Sequence, residues 1–440
     1  MSPLPSGWRI DRLKDVALIN AASLPANTDP DYEFDYLEIS NVNYHGVVDP
    51  LAIEHLRYED APSRARRRVG RNNTVISSVR PNLQAVAFMP DGRSDLVCST
   101  GFNVVQAFEP KLLPKFAYYT LLSEAGRQYF EATAKGVGYP AVDDKDFGSF
   151  PVPLPPPPEQ ERIAAYLDAS CAAIDAAVGA KRRQLETLDA MRESLIESAV
   201  TKGVRAGATT RQINEEWITE IPAHWEVCRI KRIVSRVDYG ISQGTEPNGR
   251  YPVLKMGHIQ RGEINFRDLD FVNEVSDDLL LEAGDILYNR TNSPDQVGKA
   301  AIFRHSRADE VTFASYLVRL RTNQRADPCF LNYLVNCGGF LSFARKLAIP
   351  SVQQSNLNST RYCRMLIPRP PVEEQREIAA YLDRKLAELA RVVAGIESQI
   401  ERLTAYRKSL IHECVTGQRR ISAADLQRAI HALPTERTSR

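Results

Sequence analysis

Two stretches of the chain carry apolar residues that alternate by four and three over the length of a long helix. In the later one, Leu382, Leu386, Leu389, Val393, Ile396, Ile400, Leu403 and Leu410 form a heptad seam interrupted at Arg407. In the earlier one, Leu167, Cys171, Ile174, Val178, Leu185, Leu188 and Leu195 keep the same register, interrupted at Lys181 and Arg192. Prolines stand before both stretches, and none follows before Thr201 or Thr416. Each therefore predicts a helix of about 40 residues, roughly 60 Å long at the usual rise. Glutamates in the opening turns (Glu159 and Glu161; Glu373 and Glu374) suit the positive end of a helix dipole. Two such helices in one chain most simply pair with each other. Antiparallel pairing is expected, because a whole domain lies between them.

The two stretches are copies. At a constant offset of 215, Pro153, Pro155 and Pro156 fall on Pro368, Pro370 and Pro371, and Glu159-Gln160 falls on Glu374-Gln375. The block Ile163 to Asp168 (IAAYLD) recurs unchanged at Ile378 to Asp383, and Ser194-Leu195-Ile196 recurs at Ser409-Leu410-Ile411. Arg192 and Arg407 share one repeat position. A polar residue there either fixes register or partner choice, or snorkels past the seam.

What precedes each helix repeats more faintly. "LPSGW" at 4 to 8 and "IPAHW" at 221 to 225 share an aliphatic-Pro-x-x-Trp pattern. Leu37 to Val42 meets Leu254 to Ile259 at the same offset of 217, and a short β-like run then precedes Arg80 and Arg290. Between these landmarks the sequences differ almost completely, which predicts one fold carrying two surfaces. Runs such as "TVISSV", "FNVVQAF" and "SYLVRL" read as strands, and 114 to 130 and 328 to 347 read as helices with aromatic faces. The expected fold class is mixed α/β (α+β): two globular domains with irregular sheets, joined by an antiparallel coiled coil, with an internal pseudo-twofold repeat. The aromatic stripe Phe116, Tyr119, Tyr129, Phe130 reads as core.

Composition narrows the function. At 440 residues and net charge +1, the chain has a globular protein's balance and no chain-wide cationic field. No apolar run of membrane-spanning length stands out and the start lacks a signal-peptide core, so a cytoplasmic location is expected. Seven scattered cysteines never form Cys-x-x-Cys, which predicts neither a disulfide framework nor a zinc site. No Walker lysine, His-Glu-x-x-His or Gly-x-Ser-x-Gly occurs. "GVGYPA" at 136 to 141 fits a dinucleotide fingerprint only formally, since Pro140 stands where its helix would start, and it reads as a loop. Asp143-Asp144-Lys145 lacks the upstream acid of a nuclease and reads as a solvated charge run. A binder rather than a catalyst is expected.

The doubled Pro-x-Pro-Pro…Glu-Gln…Ile-Ala-x-Tyr-Leu-Asp helix, each copy preceded by a divergent module, resembles the DNA-specificity subunit of type I restriction-modification enzymes over nearly the full chain. The resemblance implies a target-recognition domain at 1–154, a conserved central helix at 155–205, a second target-recognition domain at 206–367, a conserved helix at 368–420 and a polar tail at 421–440. It implies a non-catalytic subunit that reads an asymmetric, split sequence of double-stranded DNA. It also implies docking of two methylation subunits and, optionally, restriction subunits. The chain itself would bind no cofactor, with S-adenosylmethionine in the methylation subunit and ATP and Mg in the restriction subunit. A rigid helix pair would act as a ruler matched to about one turn of DNA, roughly 34 Å.

Side chains with fork or hydroxyl donors are the candidates for reading bases. In the first module these are Arg80, Asn82 and Gln84, with Lys135 and Tyr139 in the glycine loop; in the second, Arg290, Thr291, Asn292 and Ser293, with Ser351, Gln353, Gln354 and Ser355. Arg64, Arg66, Arg67 and Arg68 form a candidate phosphate-holding arm. Ordinary turn residues and a solvated run are the bland alternatives. A non-catalytic scaffold joining two modules for a ligand other than DNA stands as the rival function. In the tail, "SAADLQRAIHAL" predicts a short capped helix.

Overall fold

The computed structural model describes residues 4–42, 48, 52–81, 85–91, 95–205, 207–351 and 354–432. It divides into two compact units, Met1–Arg182 with Glu397–Arg440, and Arg183–Ile396. Two uninterrupted helices, Pro157–Lys202 and Val372–Val415, cross that division, so each unit holds one mixed module and a segment of each helix.

In the first unit a four-stranded sheet runs in the order Ala17–Ile19, Phe102–Ala107, Asn73–Ser77, Val86–Met89. A second sheet places Glu33–Leu37 between Glu54–Arg57 and Leu96–Ser99, with Ala65–Arg68 at the far edge; Glu33–Leu37 and Leu96–Ser99 are parallel. The second unit repeats this plan with almost none of its residues. Its sheet runs Val234–Tyr239, Leu317–Thr322, Ile286–Asn289, Ala300–Ile302, and its smaller sheet pairs Tyr251–Leu254 in parallel with Thr312–Phe313 and antiparallel with Asp270–Val272. In both, a central strand that falls in sequence between the two members of the parallel pair is wholly buried: Asn73–Ser77 in one, Ile286–Asn289 in the other.

Each aromatic stretch expected as one helix is two. Pro114–Leu122 stops at Ser123, whose extended backbone lets its Oγ accept from the Gly126 amide at 3.2 Å and start Glu124–Thr133. A Cβ on Gly126 would sit 2.6 Å from the Leu121 carbonyl, so only glycine permits this close corner. Pro328–Val335 and Gly338–Lys346 divide likewise at Asn336-Cys337. Phe116, Tyr119 and Phe130 are buried in the core and Tyr129 packs on it.

The helix pair is antiparallel within each unit. In the first, Arg162 donates to the Ile421 carbonyl at 2.7 Å, Asp175 meets Arg407 at 3.1 Å and Lys181 bonds Gln399. Numbers rise along one helix as they fall along the other. In the second, Arg205, just past the central helix, pairs with Glu377 at 2.7 Å, while Met191 and Leu195 lie beside Leu389 and Val392. Leu167, Ile174 and Leu410 are buried in the first unit's core and Leu382 in the second's. Leu185, Leu188, Leu195, Leu389, Ile400 and Leu403 are only half-buried, as expected of a two-stranded seam. Contrary to the sequence reading, one 18-residue window of Pro157–Lys202 is apolar enough to cross a membrane by length and composition. Its Leu167, Cys171, Ile174 and Val178 face the first unit's core.

The repeated polar residues anchor helix to module. Trp8 Nε1 donates to Glu159 at 3.2 Å, and Trp225 Nε1 donates to Glu374 at 3.1 Å. Both glutamates are buried, and each has a basic side chain beside it: Arg420 at 2.9 Å from Glu159, His224 at 2.8 Å from Glu374. Gln160 is fully buried; it accepts from the Leu113 amide and donates to the Lys111 and Pro155 carbonyls. Gln375 does the same with the Asp327 amide and the Arg325 and Pro370 carbonyls. Asp168 and Asp383 accept from Tyr119 and Tyr333. The other helix closes each joint at a left-handed glycine. A Cβ on Gly417 would come 2.5 Å from Pro5, and one on Gly203 would come 3.2 Å from Trp225. The tail forms the helix Ala423–His431, capped by Ser422 as its sequence predicts.

Candidate nucleic-acid interface

In the first unit the buried strand Asn73–Ser77 leads into Arg80, which holds a left-handed φ of 49° and donates its amide to the Pro140 carbonyl at 2.7 Å. Val142 N donates to the Ser78 carbonyl, while Lys135 and Ala141 exchange both backbone hydrogen bonds. The glycine stretch is thus a narrow loop laid along 78–80. Gly136 turns it at a φ of 111°, where a side chain would be strained. Val137 and Tyr139 stand exposed at its tip, and the Arg80 guanidinium lies over the Tyr139 ring, 4.5 Å from its centre.

Lys135 sits at the base of this loop rather than its tip. Its ammonium pairs with Asp143 at 2.7 Å and Asp146 at 2.8 Å, and that pairing holds the Asp143 carboxyl below its ordinary range. Its visible work is closing the loop.

The second unit builds the same place from other residues. Arg290 follows the buried strand Ile286–Asn289, its amide bonded to the Tyr316 carbonyl at 3.0 Å and its carbonyl accepting from Leu357 at 2.8 Å. Thr291–Asn292 pairs with Ser355-Asn356, and Gln354–Asn356 pairs back on Ile349–Ser351, so a hairpin again lies along the segment after the core strand. The Arg290 guanidinium lies over the Tyr239 ring at 4.9 Å, and Tyr239 Oη bonds Ser359 Oγ at 2.9 Å. Next to Tyr239, Asp238 holds Arg319, a fully buried cation that also donates to the Leu280 and Asp278 carbonyls. That network fixes the strand presenting Tyr239.

Other candidates differ in availability. Thr291 Oγ1 accepts from Asn356, Asn292 accepts from the Ser293 amide, and Ser293 donates to Asp295 at 2.6 Å. Ser355 is buried, and Gln354 is exposed on the hairpin. Asn82, Gln84 and Gln353 lie outside the described residues, as does the side chain of Ser351. Arg64 to Arg68 are not an arm: Ala65–Arg68 is a sheet strand. Arg64 pairs with Glu38, Arg66 lies over Tyr58, and Arg68 lies over Tyr32. Arg67 is half-buried against the Phe102 carbonyl and Asn103, and burial lowers its pKa. Two exposed aromatics beside Arg290, Tyr239 and Tyr316, escaped the sequence reading. Tyr239 carried a signal, since the strand alternates between half-buried and exposed positions and puts an aromatic ring on the exposed face.

Residues 5–187 and 222–402 match the family model described as "Type I restriction modification DNA specificity domain". The chain is 29% identical over 206 residues to the putative type I restriction enzyme MjaX specificity subunit of Methanocaldococcus jannaschii, a match covering 45% of this chain and 47% of that protein. It is 28% identical over 316 residues to the MjaVIII specificity subunit of the same organism, 70% of each. It is 21% identical over 330 residues to the EcoKI specificity subunit of Escherichia coli, 73% of this chain and 69% of that one. A chain solved for "Structural basis underlying complex assembly and conformational transition of the type I R-M system" shares the fold with a TM-score of 0.75 at 21% identity, over 95% of this chain and 100% of that one. The HsdS subunit from Thermoanaerobacter tengcongensis superposes with a TM-score of 0.53 at 22% identity, over 94% of this chain and 98% of that one.

Proposed function

The chain belongs to the type I restriction-modification DNA specificity family, and from that membership we propose that it selects an asymmetric, two-part DNA target for a restriction-modification complex. The observation that carries this reading is the doubled rim: two modules of one topology place an arginine over a tyrosine just past a buried central strand, yet surround it with different side chains. Shared framework and unlike rims suit two half-sites of unlike sequence.

The subunit acts by binding and catalyses nothing itself. Two methylation subunits, carrying S-adenosylmethionine, dock on the helix pair, and restriction subunits using ATP and Mg join them, all in the cytoplasm. An apolar groove supports the docking: Met191, Leu195, Leu389 and Val392 line a hollow of about 620 Å³ in the second unit, with Met191 and Val392 half exposed. Exposed apolar side chains grouped on one face mark an interaction surface.

The test is to co-purify the chain with its methylation subunits and recover the duplexes it retains from a random pool. Two fixed blocks separated by an unspecified spacer are expected. Retention of no preferred sequence by the intact complex would leave a scaffold for some other ligand.

A further inference from the structure

We propose that Arg80 and Arg290 each read a guanine, so that each half of the split target contains a G·C pair contacted by one of these arginines. The proposal rests on the DNA-reading function above and assigns a base class to it.

Four observations converge on these two side chains. Each follows a wholly buried strand of its module, so its backbone is placed by the core. Each backbone is pinned, Arg80 through Pro140 at a left-handed φ and Arg290 through both Tyr316 and Leu357. Strained or over-determined backbone of this kind gathers at functional positions. Each guanidinium lies over a tyrosine, at 4.5 and 4.9 Å, but the tyrosines come from different places. Tyr139 belongs to the loop before the first long helix, whereas Tyr239 belongs to the first strand of its sheet. Two diverged modules have arrived at one arrangement from unlike parts.

The fourth observation is the missing acid. Many surface arginines pair with carboxylates, as Arg127 does with Glu124 and Glu131, and Arg304 with Glu263; Arg66 and Arg68, over Tyr58 and Tyr32, also lack an acid among the described residues but lie within a sheet strand. Among the described residues neither Arg80 nor Arg290 has such a partner; the only side-chain hydrogen bond of Arg290 is a long one, 3.4 Å, to the Ser315 carbonyl. Its Nε is buried with no acceptor, which leaves the outer Nη edge to meet a ligand.

A guanidinium whose face rests on a ring keeps its N–H edge free in the ring-parallel plane, and the ring removes much of its rotational freedom. Such a fixed fork wants two acceptors side by side. In the major groove guanine offers them at O6 and N7, whereas adenine pairs an acceptor with a donor, thymine offers a single oxygen, and cytosine offers a donor. A phosphate also has paired oxygens, but it would make the same contact with any sequence.

The experiment recovers bound duplexes with the whole complex, comparing the unaltered chain with Arg80→Lys and Arg290→Lys. Lysine keeps the charge and loses the fork. The unaltered complex is expected to select a G·C pair in both blocks. Arg80→Lys should relax one G·C position in one block about 10- to 100-fold, and Arg290→Lys one position in the other. The untouched block in each variant reports that the chain has folded. A block without G·C overturns the proposal. So do lysine variants that keep every base preference, with or without a uniform loss of affinity; a uniform loss with a shallower salt dependence would make these residues phosphate contacts. If the unaltered complex selects no split target, the function falls together with this proposal. A split target that neither variant alters removes only the guanine assignment.

Discussion

His258 shows how one residue type separates the two modules at a shared position. Its Nδ1 accepts the Lys255 amide at 2.8 Å and closes a short 3₁₀ turn, while in the first module Asn41 Oδ1 accepts the Glu38 amide in the same place. Burial lowers the His258 pKa below 6.5, because the charged ring is disfavoured there and the bonded nitrogen must stay unprotonated. With the folded value below the unfolded one, this contribution is complete above pH 6.5 and is lost as pH falls through the folded value. The second unit should therefore melt earlier as pH drops from 7 toward 5, and His258→Asn should flatten that dependence while keeping the turn. Equal pH dependence in the two proteins, measured by thermal melts, would remove the assignment. Sequence alone aligned Leu37–Val42 with Leu254–Ile259 but not this exchange, because nothing in a lone histidine says that its ring closes a turn. Arg80 and Arg290 were legible as polar residues after a β-like run; their tyrosine platforms were not. A ring–cation contact between residues 51 or 59 positions apart leaves no local pattern.

At the scale of elements, the two helices were the most legible feature, since a heptad without proline has few other solutions. Their anchoring was hidden in the polar residues of the motif. Glu159 and Glu374 read as partners of the helix dipole, but they are buried acceptors for Trp8 and Trp225. The seam's burial is uneven for a physical reason: a pair of helices covers each side chain only partly unless a module packs beside it. Leu382, fully buried among Ile196, Ala199 and Val200, should cost about 2–5 kcal/mol when changed to Ala, measured by chemical denaturation. Leu389, half-buried in the open groove, should cost about 1 kcal/mol or less in stability. Its loss, combined with Val392→Asp, should instead weaken co-purification with the methylation subunit; unchanged assembly would place docking elsewhere. The seam arginines also part ways. Arg407 pairs with Asp175 across the helices, while the repeat gives Ala390 in place of that acid, and Arg192 instead reaches the Arg261 carbonyl at 3.5 Å.

Over the whole molecule, the repeat made the plan readable: one fold, twice, with a helix after each copy. The cut between compact units was not readable, because it falls within both helices and the first unit borrows Glu397–Arg440 from the far end of the chain. Strand order was equally hidden. The parallel pairs Glu33–Leu37 with Leu96–Ser99 and Tyr251–Leu254 with Thr312–Phe313 join residues some 60 positions apart, beyond the reach of local periodicity. The central claim is that each module dictates its own half of one DNA target. The most direct measurement is the map of methylated adenines in the host genome with the chain intact, deleted, and carrying a foreign segment in place of residues 206–367. Deletion should erase one split motif, and the exchange should alter one half of it while the other half stays as it was. A methylation map untouched by deletion when the methylation subunit is supplied, or an exchange that changes both halves together, would contradict the account.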